Sequence, residues 1–517
     1  MKRPLLALLL VALLAFGATA PDSGAKKRRH QDARPNIVFV LTDDLSWNLI
    51  DERFAPHIVD LQRRGMTFDH YFVSDSLCCP SRSSIFTGLF PHDTQVFTNM
   101  PPFGGFAKFQ AQGLDKRTFA TALQPRGYAT SMLGKYLNGY GDPSMNAFSA
   151  PIPPGWTDWH VSNVTGYPEF NYLLNDNGAY TRYGGRTGGC GITGTPNNYG
   201  VDVLGSKAQS FIAQSKGKPF VMEIATFAPH APYTPAPRNA CDFPGLKQPR
   251  DPSFDTNNVN PPAWLGQRDP LRPGQIKTTD QSYRKRAQSL EAVDKVIGDI
   301  EAQLAAAHQL GKTYFVFSSD NGYHLGQHRL PRGKQTAFDT DIRVPLIVAG
   351  PGVPRGRVVS QVAQNVDLYP TFVELAGGKP GRSVDGHSLV PLLHPVRGWR
   401  WEPWRTLALV EHKGQAVAQS DPDTEAGPRG GNPTTYEAIR ISTRRLPGFK
   451  GPVEGVYVEY DDAAHELEYY DIRKDPYERV NIAGLLTARQ RGVLHRLLAG
   501  LSSCQGARAC WQAGRPR

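Results

Sequence analysis

The sequence predicts a layered α/β domain followed by a smaller antiparallel sheet that packs with a helix. Three observations favour this fold class. Continuous apolar, β-branched runs alternate with helical patterns to about residue 395. Two of these runs end in acidic or amide side chains. Short strand-like segments then follow, and one helical pattern lies near the end of the chain.

Four apolar runs are typical of strands that are buried on both faces, as in a parallel sheet covered by helices. They are Asn36–Thr42, Phe220–Ala225, Thr313–Ser319 and Val344–Val348. The segment 286–311 precedes the third of them and repeats apolar residues at helical spacing. It predicts a helix with one face in the core, formed by Leu290, Val293, Val296, Ile297, Ile300 and Leu304.

The C-terminal part is different in character. Lys413–Pro433 is rich in Gly, Pro and Asp, which predicts a loop. Three short segments after it predict strands of an antiparallel sheet: Tyr436–Ser442, Gly455–Tyr460 and Glu466–Tyr470. A final helix is expected over Ala488–Leu498.

The chain has 517 residues, of which 40% are hydrophobic, so it is too long for one average domain. We expect a large domain at 35–395 and a smaller one at 396–517. The formal net charge of +11 suits either a soluble surface or attraction to polyanions such as sulfated glycans. The sequence contains no nucleic-acid-binding motif, so we expect no nucleic-acid partner.

The N-terminus has the pattern of an export signal. Lys2 and Arg3 precede an apolar run, Leu5–Phe16, and a zone of small residues, 17–20. We therefore expect a signal peptide at 1–25, with an uncertain cleavage site, and a basic linker at 26–34. The apolar run is shorter than the roughly 20 residues of a spanning helix. These features predict a secreted or extracytoplasmic protein without stable membrane insertion.

Six cysteines in an exported chain indicate disulfides. Cys504 and Cys510 are near neighbours and are candidates to close a small loop. Cys190 and Cys241, in Gly/Pro-rich stretches, are candidates for a second pair. The adjacent Cys78 and Cys79 are poorly placed to bridge each other, so they need another explanation.

Polar side chains follow two of the predicted buried strands. Asp43 and Asp44 come directly after the first run, and Asp320 and Asn321 come directly after the third. In open α/β sheets, ligands bind at the carboxyl ends of the strands. The sequence therefore predicts that a ligand site lies at this edge of the sheet.

The sharpest local signal is the segment Leu77–Gly88, LCCPSRSSIFTG. Pro80 suits the first turn of a helix, where its missing N–H costs nothing. Cys78 would then lie at a helix N-terminus, where backbone donors and the helix dipole favour an anion. The alternative interpretation is a buried structural thiol at Cys78 and a surface charge at Arg82.

This segment resembles the sulfatase family signature Cys-x-Pro-Ser-Arg followed by Thr-Gly. The family belongs to the alkaline-phosphatase superfamily, so the resemblance implies an α/β/α sandwich with a large mixed sheet. It also implies that Cys78 is oxidised to formylglycine and acts as the nucleophile, and that Arg82 holds it. The predicted large domain would be the catalytic sulfatase domain.

The resemblance extends to a metal site and to sulfate-binding residues. Asp43, Asp44, Asp320 and Asn321 match the family's four metal ligands, with the converted Cys78 beside them. Oxygen ligands of this kind suit one Ca²⁺ ion. The resemblance also assigns sulfate-binding roles to three residues in the segments GKY, PHAP and GK, namely Lys135, His230 and Lys334.

One departure concerns the position two residues after Lys135. Many sulfatases carry a histidine there, whereas this sequence has Leu137 followed by Asn138. The segment GKYLN resembles instead the branch that contains N-acetylglucosamine-6-sulfatases and extracellular heparan endosulfatases. Asn138 is a candidate to replace the histidine. The long basic insert typical of the endosulfatases is missing from this sequence.

The resemblance implies hydrolysis of sulfate esters through a covalent sulfo-enzyme intermediate. The expected substrates are 6-O-sulfated N-acetylglucosamine, a related glycan or an aryl sulfate. A formylglycine-generating enzyme would be the partner during maturation. Two other interpretations stay open: a phosphodiesterase or phosphonate monoester hydrolase of the same superfamily, and an inactive exported binding protein.

Overall fold

The computed structural model describes residues 34–141, 150–185, 190, 196–215, 217–395, 404–414 and 432–515. The predicted signal peptide, nearly all of the basic linker and most of the predicted loop at 413–433 lie outside these residues. The boundary predicted at 395/396 lies at the start of a gap in the described residues. Within the described residues, no helix is both long and apolar enough to cross a membrane.

The strands alternate with helices through the larger part of the chain and then follow one another near its end. In chain order, the strands of the described residues are β1 (Asn36–Thr42), β2 (Met66–Phe68), β3 (Tyr71–Phe72), β4 (Ala129–Lys135), β5 (Asp158–Ser162), β6 (Tyr172–Asp176), β7 (Ala179–Tyr183), β8 (Phe220–Ala225), β9 (Thr313–Ser319), β10 (Leu346–Ala349), β11 (Arg357–Val359), β12 (Ala363–Gln364), β13 (Leu407–His412), β14 (Tyr436–Thr443), β15 (Val453–Tyr460) and β16 (Leu467–Asp471).

The helices vary from single turns to one of nine turns or so. In chain order, the α-helices of the described residues are α1 (Pro56–Arg64), α2 (Cys78–Thr87), α3 (Pro91–Thr94), α4 (Gly105–Ala111), α5 (Phe119–Leu123), α6 (Gly200–Ser215), α7 (Pro273–Ala306), α8 (Asp339–Ile342), α9 (Leu368–Leu375), α10 (Val390–Leu393), α11 (Ala488–Ser502) and α12 (Ala507–Ala513).

A ten-stranded mixed sheet forms the centre of the fold, in the order β11-β2-β10-β9-β1-β8-β4-β5-β6-β7. Its middle strands, β9, β1, β8, β4 and β5, are all parallel. The carboxyl ends of these strands therefore lie at one edge of the sheet. The predicted ligand edge is this edge.

The central sheet is covered on both faces. Along β1, Ile37, Phe39 and Leu41 join one apolar cluster, which includes α5 and α9. The alternate residues Val38 and Val40 join the other, which includes α6 and α7. This alternation follows from the two-residue period of a strand, and it explains why β1 is apolar without interruption from Ile37 to Leu41.

The second sheet is antiparallel, in the order β13-β14-β15-β16. On one face, Leu409, Ile439 and other residues pack against Leu494 and Leu498 of α11. On the other face, Ala408 and Val410 belong to the same apolar cluster as the central sheet. The C-terminal sheet thus shares an apolar core with the central sheet.

The predicted fold class is confirmed: a large mixed sheet between helices and a small antiparallel sheet with a helix. Both candidate cysteine pairs form disulfides, Cys190–Cys241 and Cys504–Cys510. Cys78 and Cys79 are buried free cysteines.

Some element bounds differ from the sequence-based expectation. The helix expected from residue 286 begins at Pro273 and ends at Ala306. Most residues of its first two turns are exposed, so they carry no apolar stripe for the sequence to reveal. The expectation also missed the strands β2 to β7 and β11 to β13. In β4, Ser131 and Gly134 interrupt the apolar pattern, and the strand is stabilised by its neighbours β5 and β8.

Candidate active site

The parallel strands bring four chain segments together at their carboxyl ends. β1 is followed by Asp43 and Asp44, and β9 is followed by Asp320 and Asn321. β4 ends at Lys135, and the segment after β8 carries His230. Asp44 has a φ of 63°, in the left-handed region that few non-glycine residues adopt. Residues in such conformations cluster at functional sites, because the surrounding structure must hold them there.

Cys78 is the first residue of α2, and its side chain is fully buried. Its Sγ lies 3.2 Å from Oδ1 of Asp43 and 2.8 Å from Nζ of Lys334. The helix ends at Thr87 and is followed by Gly88, whose φ of 71° suits glycine. The predicted helix N-terminus is therefore present, and the thiol points into the acidic strand edge.

Each of the two lysines pairs with one aspartate. Nζ of Lys135 lies 2.6 Å from Oδ2 of Asp43, and Nζ of Lys334 lies 2.6 Å from Oδ1 of Asp44. Burial by itself would raise the pKa of Asp43, but the charges of Lys135 and His230 hold that pKa below its ordinary value. Burial would likewise lower the pKa of Lys135, but Asp43 raises it well above its ordinary value. Both groups are therefore charged at neutral pH.

His230 is oriented by its backbone neighbour. Its Nδ1 lies 2.7 Å from the carbonyl oxygen of Ala231, which can only accept a hydrogen bond, so Nδ1 carries a proton. The other ring nitrogen, Nε2, faces Oδ2 of Asp44 at 3.5 Å. The ring of Tyr167 packs against the imidazole, with 4.6 Å between the ring centroids. Nε2 is therefore the nitrogen that faces the site.

Arg82 and Asp320 form an ion pair with both side chains fully buried. Nε of Arg82 lies 2.7 Å from Oδ2 of Asp320, and Nη1 donates to the carbonyl oxygen of Lys135 at 2.7 Å. Burial would lower the pKa of Arg82, but Asp320 and Asp43 raise it above its ordinary value. The guanidinium thus connects α2 to the ends of β9 and β4.

Comparison with known proteins decides the family. The family model described as Sulfatase matches residues 35–378. The chain belongs to the sulfatase family. It is therefore a sulfuric ester hydrolase, as the resemblance implied.

Two relatives indicate where this sulfatase stands in the family. The human protein named N-acetylglucosamine-6-sulfatase is 32% identical over 502 residues, which cover 92% of this chain and 85% of that protein. The Drosophila melanogaster protein named Extracellular sulfatase SULF-1 homolog is 33% identical over 400 residues, which cover 76% of this chain and 34% of that protein. The expected branch of the family is consistent with both relatives.

A solved structure confirms the fold. It is described as a complex with its substrate D-glucosamine-2-N,6-O-disulfate, and it superimposes with a TM-score of 0.70. Its sequence is 23% identical, and the match covers 90% of this chain and 97% of that one. At this identity, the likeness shows the fold alone.

The site of this sulfatase fits a divalent cation bound by oxygen atoms. The side-chain donor atoms of four residues lie within 4.8 Å of one another: Asp43, Asp44, Cys78 and His230. Within the described residues, Asp44 Oδ2 and Asn321 Oδ1 are buried and accept no hydrogen bond. Buried polar atoms are rarely left without a partner. These two oxygens are therefore suited to a ligand such as a hard metal ion.

The carboxylate of Asp320 accepts three hydrogen bonds from the protein. Its Oδ2 accepts from Arg82, and its Oδ1 accepts from the backbone N–H groups of Asp44 and Asn321. Each carboxylate oxygen has two lone pairs, so both lone pairs of Oδ1 are used and Oδ2 keeps one for a metal. In the structure as it stands, Asp320 also fixes Arg82 and the turn after β1.

Two features, Tyr167 in the site and Glu223 in the central sheet, were not expected from the sequence. Tyr167 packs against His230, and the ring also lies 5.0 Å from Nζ of Lys135. Glu223, in the middle of β8, is buried, and burial raises its pKa to about 8, against the effect of Arg82. A single tyrosine in a loop carries no signal in the sequence. An acidic residue within the apolar run FVMEIA is a recognisable signal, and it could have indicated Glu223.

The structure also shows where Leu137 and Asn138 lie, at the departure from the usual family sequence. Leu137 is buried in the apolar cluster that contains Phe106 and Tyr136. Nδ2 of Asn138 donates to the hydroxyl oxygen of Tyr167 at 3.4 Å. Leu137, where many sulfatases have a histidine, is therefore part of the apolar core. Asn138 forms a hydrogen bond with Tyr167.

Proposed function

We propose that this sulfatase hydrolyses the 6-O-sulfate ester of N-acetylglucosamine or of a related sulfated glycan. The carrying observation is the convergence of Cys78, Lys135, Lys334 and His230 on one pair of aspartates. The 32% identity to a protein named N-acetylglucosamine-6-sulfatase, over 92% of this chain, supports this substrate. The ligand named for the solved relative, a 6-O-sulfated glucosamine, supports it as well.

Conversion of Cys78 to formylglycine is part of the proposal. The hydrated aldehyde would supply two hydroxyl groups on one carbon, one for attack and one for release of sulfate. The surroundings of Cys78 support this role. The residue begins a helix, where partial positive charge favours an anion, and Lys334 lies 2.8 Å from its Sγ. Its neighbour Cys79 is a contrast, because burial raises the pKa of that thiol to about 12.

Calcium is the proposed metal. Asp43, Asp44, Asp320 and Asn321 would hold it, with the converted side chain of Cys78 as a further ligand. Its chemistry there would be to lower the pKa of the attacking hydroxyl and to neutralise a sulfate oxygen. The donor atoms are carboxylate and amide oxygens, which Ca²⁺ prefers over nitrogen and sulfur.

The remaining residues would bind the sulfate and move a proton. Lys135 and Lys334 place two buried cations beside the nucleophile, where charge develops during displacement. The proton on Nδ1 of His230 is held by Ala231, so Nε2 is the atom that would protonate the leaving alcohol. Arg82 would keep α2 in position through Asp320 and Lys135.

Maturation and export complete the proposal. A formylglycine-generating enzyme would act on Cys78 during synthesis. Export is supported by the signal-like N-terminus, by the two disulfides and by relatives whose names include extracellular sulfatases. The expected location is secreted or extracytoplasmic.

The test compares nitrophenyl sulfate with nitrophenyl phosphate in calcium, and then uses N-acetylglucosamine 6-sulfate. The protein is produced together with a formylglycine-generating enzyme, and peptide mass spectrometry measures conversion at Cys78. We expect strong sulfate preference and 6-sulfate release, both abolished in Cys78→Ala. Cys79→Ala is the matched control and should keep activity, because Cys79 lies in the apolar cluster.

Three outcomes would contradict the proposal. Wild-type turnover in Cys78→Ala would exclude this residue as the nucleophile. Dominant phosphate hydrolysis would favour a phosphodiesterase or phosphonate monoester hydrolase. Fully converted protein with no activity on any of these esters would favour an exported binding protein.

A further inference from the structure

A single buried arginine of α7 contacts two of the chain segments that form the site. Arg286 is 1% exposed. Its Nη2 donates to the backbone carbonyl oxygen of Asp44, and its Nη1 donates to the backbone carbonyl oxygen of Pro229 at 3.4 Å. Asp44 lies in the turn after β1, and Pro229 directly precedes His230 in the segment after β8. The guanidinium therefore joins the turn that carries Asp44 to the segment that carries His230.

These two segments place side chains close together, so their relative position matters. Oδ2 of Asp44 and Nε2 of His230 are 3.5 Å apart. The backbone at Asp44 has a φ of 63°, a conformation that the surrounding structure must hold. One backbone hydrogen bond also links the segments, from the N–H of Asp43 to the carbonyl oxygen of Ala228, and it is long, at 3.4 Å. The two bonds from Arg286 support the same arrangement from the side of α7.

The charge of Arg286 has no anionic partner in the part of the chain that the structure describes. Three other buried arginines each form an ion pair with an aspartate: Arg82, Arg405 and Arg440. Among the described residues, Arg286 forms no ion pair, and its Nε donates no hydrogen bond. Its Cζ lies instead 4.6 Å from the ring centroid of Tyr323.

A buried cation of this kind is unfavourable for folding. Its hydration is lost, and no carboxylate among the described residues offsets that loss. Replacing a buried charged side chain by an apolar one of similar size is often neutral or stabilising. Stability therefore does not account for an arginine at position 286, whereas its two contacts beside the site suggest a role there.

We propose that Arg286 is a positioning residue of the sulfatase site, which sets the spacing between Asp44 and His230 through the backbone. The inference rests on the proposed function, which assigns calcium binding to Asp44 and protonation of the leaving alcohol to His230. Without the guanidinium, the carbonyl groups of Asp44 and Pro229 lose a charged donor, and the turn at Asp44 loses a support. Calcium affinity and proton transfer should therefore both decrease.

The first test measures calcium affinity and stability in the same variant. Arg286→Met is made in Cys78→Ala protein, calorimetry measures calcium affinity, and urea unfolding in a chelator measures stability. We expect calcium affinity to fall at least about tenfold, as is typical when a residue that supports a metal ligand is lost. The urea midpoint should stay the same or rise, because an unpaired buried charge is removed. A merely structural role would lower the midpoint instead.

Arg440→Met is the matched control. Arg440 is 2% exposed and also lies against an aromatic ring, but it pairs with Asp339 and Glu454. Its loss leaves these carboxylates without their cation, so the urea midpoint should fall. Calcium affinity should stay within about twofold of the parent protein, because the partners of Arg440 are not predicted ligands. An equal loss of calcium affinity in this control would overturn the assignment, since the measurement would then report a general loosening of the protein.

A second test addresses His230. Converted Arg286→Met protein is assayed at saturating calcium with 4-nitrophenyl sulfate and with N-acetylglucosamine 6-sulfate. Nitrophenolate is a weak base that leaves without protonation, whereas a sugar alcohol needs a general acid. We expect kcat/KM to fall at least about tenfold more for the sugar ester than for the nitrophenyl ester. Equal losses for the two esters would overturn the link between Arg286 and His230.

The outcomes separate the inference from the function on which it rests. Arg286→Met protein with unchanged calcium affinity, or with a lowered urea midpoint, would overturn the inference and leave the sulfatase function intact. Converted wild type without activity on either ester would overturn the proposed function. Calorimetry and unfolding need no turnover, so they would still decide the role of Arg286 in that case.

Discussion

The buried pair of Arg82 and Asp320 gives a prediction that does not depend on turnover. Both side chains have no exposed surface, and Nε of Arg82 lies 2.7 Å from Oδ2 of Asp320. Asp320→Asn keeps an oxygen for the backbone N–H groups of Asp44 and Asn321, but it removes the charge that balances the guanidinium. Breaking one side of a buried ion pair costs about 3–5 kcal/mol of unfolding free energy.

A double-mutant cycle isolates the pair. Arg82→Met alone leaves the Asp320 carboxylate without its partner, so it should also cost about 3–5 kcal/mol. In the double variant, Arg82→Met with Asp320→Asn, both charges of the pair are removed, so neither is left buried without its partner. Its loss should therefore be smaller than the sum of the single losses by about 2–3 kcal/mol.

The assay is urea unfolding of unconverted protein in a chelator, so that metal binding does not contribute. All four proteins of the cycle are compared at the same pH. Losses that add within about 0.5 kcal/mol would refute the reasoning, because independent sites behave in that way. The pair would then not be coupled as its geometry indicates.

Two further predictions concern the metal and pH. Asn321→Leu removes a buried oxygen that has no hydrogen-bond partner among the described residues. In Cys78→Ala protein, which does not turn over substrate, this change should lower the calcium affinity measured by calorimetry at least about tenfold. Equal affinity would contradict the assignment of Asn321 as a ligand. Burial by itself would lower the pKa of His70, but Asp69 and Glu454 raise it to about 9. Because the unfolded pKa is about 6.5, this stabilisation is complete below that pH and is lost as the pH rises through 9. The stability difference between wild type and His70→Gln should shrink by about 2 kcal/mol between about pH 7 and pH 9.5 in denaturant titrations; a constant difference would contradict it.

The sequence alone determined the fold class and the main chemical groups. Asn36–Thr42 and Thr313–Ser319 were predicted as strands with the bounds that the structure has, because a strand buried on both faces must be apolar throughout. Cys78 was predicted at a helix start because Pro80 is compatible with a first turn. The acidic residues after the two strands followed from the same local pattern.

Other elements left no local signal. The first turns of α7 are largely exposed, so its start at Pro273 could not be read from an apolar stripe. β4 contains Ser131 and Gly134 and exists as a strand because β8 and β5 pair with it on both sides. Such elements depend on partners that are far away in the chain.

Only the tertiary structure decided which atoms meet. Lys334 lies within hydrogen-bond distance of both Asp44 and Cys78, which are more than 250 residues away in the chain, and the ring of Tyr167 packs against His230. Asn138 is a candidate for the role of a missing histidine, and the structure shows that its Nδ2 donates to the hydroxyl oxygen of Tyr167. Residue identity sets the chemistry that a site can perform. The distances and side-chain directions are set by packing between distant segments, and no local pattern encodes them.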